Sequence, residues 1–100
     1  MNALVRNEAI VFVSATVAEL SPQHLTRIMS DAARFNREAG VNGVTLFDGA
    51  RFLSYLEGTT DNLSAAFLRA SASTSHTELV ILADGRIGPC RLPHWPMRCL

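Results

Sequence analysis

One hundred residues suit one domain with a single small core. Nine basic and nine acidic side chains cancel, and no Lys/Arg run appears, which argues against a nucleic-acid ligand. No apolar run approaches the length of a membrane span, and Met1 to Glu8 lacks the apolar centre of a signal peptide, so the expected location is the cytoplasm.

Cys90 and Cys99 read as reduced thiols in that compartment. With three scattered histidines they make no metal-ligand spacing, and no metal site is expected. Residues 1–8 are expected to be disordered, residues 9–97 to form the domain, and residues 98–100 to be a tail.

Ala9 to Ser14, AIVFVS, is a β-branched and aromatic run, the mark of a strand. Alternation puts Ile10, Phe12 and Ser14 on one face and Ala9, Val11 and Val13 on the other, so this strand is expected to be buried on both sides. Ala15 to Leu20 reads as a loop. It has neither Arg nor Gly, so it lacks the basic, glycine-rich phosphate loop that an acylphosphatase needs.

Ser21-Pro22 opens a helix: Ser21 suits the N-cap and Pro22 the first helical position. Leu25, Ile28, Met29, Ala32 and Ala39 recur at helical spacing as a buried stripe, and Gly40 stops the helix. Asn36 falls on that stripe. An unpaired buried amide costs about 1–3 kcal/mol, so Asn36 needs a partner: a loop carbonyl near the helix end or a buried ligand.

Val41 to Gly58, VNGVTLFDGARFLSYLEG, reads as two strands joined at Asp48-Gly49, a dipeptide that tolerates positive φ at both central positions of a tight turn. Phe52, Ser54 and Leu56 share one face of the second strand; Arg51, Leu53, Tyr55 and Glu57 share the other. Large apolar groups on both faces place the hairpin centrally, covered on two sides. Ser54 is the lone polar group on its face.

Thr59 or Thr60 caps a second helix, with Leu63, Ala66, Phe67 and Ala70 as its buried stripe. Ser71 to Ser75 is polar punctuation. Glu78 to Ala83 reads as a strand followed by an Asp84-Gly85 turn, and Arg86 to Leu92 as a last short strand broken by Gly88 and Pro89. The order predicts an α+β fold: a ferredoxin-like β-α-β-β-α-β sandwich with a short fifth strand, a mixed sheet and both helices on one face. His24, His76 and His94 have no nucleophile motif around them, so no catalytic residue is assigned and the chain is not expected to be an enzyme.

These residues resemble the BLUF domain, a family of blue-light sensors that bind FAD. The likeness runs from about Ala9 to Met97. It rests on the order of elements, on Asn36 near the end of the first helix and on the closing Trp95-Pro96-Met97. Its most specific part is the hairpin: Gly, an aromatic-Asp-Gly turn, then Arg-Phe-Leu-x-x-Leu-Glu-Gly. The resemblance implies a flavin ring between the two helices, over the sheet. A Tyr on the first strand, a Gln on the third and an Asn on the first helix would surround its polar edge. In the family, light drives electron and proton transfer from the Tyr, and the Gln hydrogen bonds then rearrange.

Asn36 matches the Asn of that pattern. Phe12 stands at the Tyr position and has no hydroxyl; Ser54 stands at the Gln position and is too short to replace an amide. Tyr55 cannot stand in, because alternation turns it to the opposite face. Ser75-His76 replaces the Arg-His pair that often follows the second helix, and a cationic contact goes with it. Carried over residue by residue, the cofactor contacts are Phe12, Ile28, Phe35, Asn36, Phe52, Ser54, His76 and Met97.

Two lost hydrogen bonds, at about 0.5–1.5 kcal/mol each, weaken binding about tenfold to a hundredfold. Burial of a large ring outlasts that loss. The photocycle does not survive without its phenol and its amide. Trp95 remains able to quench an excited flavin, to no productive end. The expectation is therefore FAD binding, weakened or lost, without ordinary BLUF photochemistry. The alternative is a flavin-free interaction module on the same fold.

Face parity gives one further expectation. Val11, Val13, Leu53 and Tyr55 point away from the helices, and the chain given ends at Leu100 with no helix left to cover them. An apolar face of that size marks an interface, so a homodimer or a protein partner is expected there.

Overall fold

The computed structural model describes residues 6–16, 19–73 and 76–100. Met1 to Val5 of the expected disordered segment lie outside the described residues, as do Val17 and Ala18 of the expected loop and Thr74 and Ser75 of the polar linker. Strand β1 spans Asn7–Thr16, two residues beyond the apolar run at each end. Asn7 and Glu8 are therefore strand, and so are Ala15 and Thr16.

Helix α1 spans Pro22–Ala39. The Ser21 hydroxyl oxygen accepts from the His24 amide at 3.1 Å, and Gly40 closes the helix in the left-handed region at φ 74°. Strands β2 (Asn42–Phe47) and β3 (Arg51–Thr59) form the expected hairpin. Helix α2 spans Thr60–Ala72 and is capped by Thr59. Strand β4 spans His76–Ile87 and strand β5 Arg98–Cys99. The sheet order is β4-β1-β3-β2-β5; β1 runs antiparallel to β3 and β4, and β5 runs parallel to β2. This is the expected mixed sheet with two helices on one face, and β3 lies at its centre.

Three local readings are corrected. Asp84-Gly85 is not a turn. The lengthened β1 offers Asn7 to Ile10 as ladder partners for Asp84 to Ile87, and cross-strand pairing overrides local turn preference. Consequently Arg86 to Leu92 is not a separate strand; the fifth strand is Arg98–Cys99, inside the expected tail. The hairpin turn also differs. Only Gly49 has positive φ, at 100°, whereas the Asp48 carboxylate folds the loop by accepting from the Ala50 and Arg51 amides at 2.9 and 2.7 Å.

The core lies between the sheet and the helices. Ile10, Phe12, Val41, Leu56, Leu63 and Ala66 are its buried members. The opposite face is not covered as expected: Val11, Val13 and Tyr55 are half-buried, and Leu53 is 39% exposed.

Candidate functional site in the cleft between the helices

The register builds the site. Phe12 of β1 pairs with Ser54 of β3, and Ser54 pairs with Thr45 of β2. The three side chains form one row across three strands, all on the helical side, and all are buried. Above them, between α1 and α2, runs a cleft. Its floor adds Ser14, Phe52 and Leu56; Ile28, Met29, Ala32 and Asn36 line it from α1, and Ala66, Arg69 and Ala70 from α2. His76 and Met97 also line it. Seven of the eight residues read as cofactor contacts therefore meet in one cleft. Phe35 does not line it: its ring packs on the core, with the Arg69 guanidinium 5.5 Å from the ring centroid.

Every polar group read from the sequence has a partner. The Ser54 hydroxyl lies 2.9 Å from that of Thr45, and Thr45 is 3.3 Å from the Met97 sulfur. Asn36 is 3% exposed, and its Nδ2 donates to the Pro96 carbonyl at 2.7 Å. A loop carbonyl thus takes the amide, as one of the two alternatives required, but that loop lies 60 residues away and not at the helix end. Gly43 makes this approach possible. A Cβ there would sit 2.8 Å from the Leu56 side chain and 3.3 Å from the Pro96 carbonyl, and the Gly43 amide donates to the Trp95 carbonyl at 2.8 Å.

His76 is held through both ring nitrogens. Nε2 is 2.6 Å from the Ala70 carbonyl, which can only accept, so Nε2 carries the proton. In the neutral ring Nδ1 then accepts from the Ser14 hydroxyl, 2.7 Å away. Thr45, Ser14 and Arg69 were missed by sequence reasoning. Counting back from the Phe47–Phe52 pair across the turn would have put Thr45 opposite Ser54.

The cleft is thin. Its cavity volume is about 60 Å³, against roughly 300–1,000 Å³ for a rounded small-molecule pocket. Among the described residues no buried side-chain polar atom lacks a partner. The apolar walls and the one inward amide, Asn36, supply the chemistry a flavin ring needs, but the cavity as it stands is smaller than such a ring. At Phe12 and Ser54 the row offers neither a phenol nor a long amide.

The sequence matches, over residues 8–98, the family described as sensors of blue-light using FAD. It is 34% identical over 77 residues to the photoactivated adenylate cyclase subunit beta of Euglena longa, covering 77% of this chain and 9% of that protein. It is 28% identical over 83 residues to the alpha subunit of Euglena gracilis, covering 81% of this chain and 8% of that protein. The chain thus spans less than a tenth of the curated relatives it matches. Among solved structures, the dark state of the BLUF protein BlrB superposes with a TM-score of 0.88 at 23% identity, covering 97% of this chain and 74% of that one. Klebsiella pneumoniae BlrP1 with FMN and cyclic diGMP gives 0.84 at 26% identity, over 94% of this chain and 25% of that one. With the family matched along almost its whole length and the sheet and helices arranged as expected, the chain belongs to the BLUF family of blue-light sensors using FAD.

Proposed function

We propose that this chain is a flavin-binding regulatory domain that has kept the ring slot of its family and lost the light switch. The row Phe12–Ser54–Thr45 carries the reading. Phe12 has no proton to give, and the Ser54 hydroxyl is already engaged by Thr45 at 2.9 Å. Bound flavin would supply blue-light absorption and an electron acceptor. Phe12, Ile28, Phe52 and Met97 would hold the ring by apolar contact and exclude water. Asn36 keeps one N–H and its carbonyl oxygen for the ring edge while its other N–H stays on Pro96. Arg69, in the last turn of α2, supplies a cation at the cleft where the sequence has Ser75 in place of arginine.

The role is regulatory, with no catalytic residue assigned, and the cyclase activity in the relatives' names stays with those proteins. We place the chain in the cytoplasm, in keeping with Cys90 and Cys99 as free, exposed thiols. Its output surface is the back of the sheet, where Val11, Val13, Leu53 and Tyr55 would meet a protein partner or a second copy.

Absorption and thermal melting test the reading together. Added FAD is expected to raise the melting temperature and give a flavin spectrum that blue light leaves in place. The double variant Phe12→Tyr/Ser54→Gln is expected to gain a light-induced red shift. A red shift in the unaltered protein would overturn the loss of the switch. A second reading, a flavin-free module, is favoured by the thin cavity and the complete internal pairing among the described residues. Colourless protein whose melting is indifferent to excess FAD would establish it.

A further inference from the structure

The helix layer is one strand narrower than the sheet. A helix is about 10 Å across and strands lie about 4.8 Å apart, so each helix covers about two strands. α1 packs on β2 and β5, and α2 on β1 and β3, which leaves β4 without a helix of its own. Direct partners across a ladder share a face. Ile81, opposite Phe12, and Asp84, opposite Ile10, therefore point to the helical side. There, between β4 and α2, they line a groove of about 330 Å³. Ile10 and Ile81 form its floor, Leu63 and Phe67 wall it from α2, and Glu8 and Asp84 stand at one end. Ile81 is 45% exposed. Leu68 is 67% exposed and lies one helical turn after Ser64, which lines the groove. Open apolar surface thus continues from the groove onto the rim of α2.

We propose that this groove docks a short amphipathic helix of a partner protein, apolar along one stripe and basic at one end. Ile81 to Asp84 spans roughly 10 Å, about two helical turns. Charge sets the chemistry of the occupant. The charged residues lining the groove are both carboxylates, and neither Glu8 nor Asp84 has an ion-pair partner among the described residues. Asp61 adds a third carboxylate in the first turn of α2. That turn lies at the same end, since the Thr60 amide donates to the Arg6 carbonyl at 3.2 Å. Arg86, the register partner of Glu8, lines a separate hollow with Arg6 and Pro89 and not the groove. A strand added to the sheet is a poor occupant. The register shifts against β1 skip Leu82 and fall beside Glu78, whose φ of 55° is left-handed, so the outer row of β4 backbone groups is broken where a strand would pair. Recognition then falls to side chains, and a helix laid beside α2 extends the helix layer over β4. With few pairs at an exposed rim, the contact is weak and weakens further with salt.

The probe is a synthetic amphipathic peptide with leucines along one helical stripe and lysines at one end. One control carries glutamates for the lysines; the other carries a central proline, which breaks the helix. In a Cys90→Ser/Cys99→Ser background, Leu68→Cys bearing an environment-sensitive fluorophore reads the groove, and Leu53→Cys labelled alike reads the back of the sheet. The lysine peptide is expected to shift the emission at Leu68→Cys to the blue and to leave that at Leu53→Cys unchanged. The glutamate and proline peptides are expected to bind about tenfold more weakly. Glu8→Lys/Asp84→Lys is expected to reverse the preference between the lysine and glutamate peptides with the chain still folded. Asp84→Lys alone, at an exposed position, keeps the test if the double variant does not fold. Equal affinity for the lysine and glutamate peptides, or a charge reversal that leaves the preference in place, would overturn the proposal. A proline peptide that binds as well would overturn the helical occupant. A shift at Leu53→Cys in place of Leu68→Cys, or at neither, would overturn the location. None of these readouts depends on flavin.

Discussion

The two faces of β3 each bury one polar device, and the two devices are built to different standards. On the helical face Ser54 is 6% exposed, neutral, and linked to Thr45. On the opposite face Glu57 is 0% exposed and takes four hydrogen bonds. Asn42 Nδ2 donates to it at 3.1 Å, the Tyr55 hydroxyl at 2.9 Å, and the amides of Arg91 and Leu92 at 2.8 and 2.9 Å. A buried charge is tolerated only when its lone pairs are filled, and these are. Ser54, at the floor of the cleft, has one neutral side-chain partner. The carboxylate outside the cleft keeps a full set of donors. The difference teaches that this chain concentrates its polar precision where a buried charge holds its own backbone, and uses far less of it at the floor of the cleft.

That contrast can be broken first at Glu57. Glu57→Ala removes the acceptor for two backbone amides, and hydrogen bonds to a charged group are worth about 1.5–3 kcal/mol each. A loss of about 3–5 kcal/mol is therefore expected in urea denaturation. A loss below about 1 kcal/mol would mean that water replaces the carboxylate at no cost.

The next effect is pH dependence. Burial pushes the Glu57 carboxyl up, but the Arg91 and Leu92 amides, Asn42 and Tyr55 outweigh it and hold it below its ordinary 4.5. The folded state then binds fewer protons than the unfolded chain. The stability from this group is present above about pH 4.5 and is lost as pH falls below that value through the lowered folded pKa. The urea midpoint is expected to drop on acidification, and less steeply in Glu57→Gln. Tyr55 works in the opposite sense: burial and its bond to Glu57 push its hydroxyl from 10.0 up to about 12, so its contribution is lost only as pH rises through that range.

The smallest effect belongs to the helical face. Ser54→Ala breaks one neutral hydrogen bond and leaves Thr45 its contact with Met97, so a cost of about 0.5–1.5 kcal/mol is expected by the same denaturation. A cost as large as that of Glu57→Ala would erase the comparison.

The helical face was largely legible in the sequence, because its signals are local. Period-two alternation placed Phe12, Ser54 and Phe52 on one side, and helical spacing turned Asn36 inward. The caps at Ser21, Gly40 and Thr59 are side-chain or glycine chemistry that acts within four residues. The Glu57 site was not legible. Two of its four donors are backbone amides 34 and 35 residues away, and a backbone amide leaves no mark in an amino-acid sequence. The Asp84-Gly85 error has a related cause. The dipeptide carries a real turn preference, and only the longer β1 beside it decides that the strand runs on. Thr45 lay between these cases, since its place followed from a register that the turn itself fixes.

Gly43 admits the segment after β4 against the sheet, and that segment is fastened on both sides of it. Arg91 and Leu92 are held by Glu57 on one side; Pro96 and Met97 are held by Asn36 and Thr45 on the other. Only Pro93, His94 and Trp95 lie between the two fastenings, and the Trp95 carbonyl is itself taken by Gly43. The segment acts as a short strap around the β2 side of the sheet, with little slack. Any shift of the Asn36 amide must be absorbed within three residues or passed through the strap to the far face.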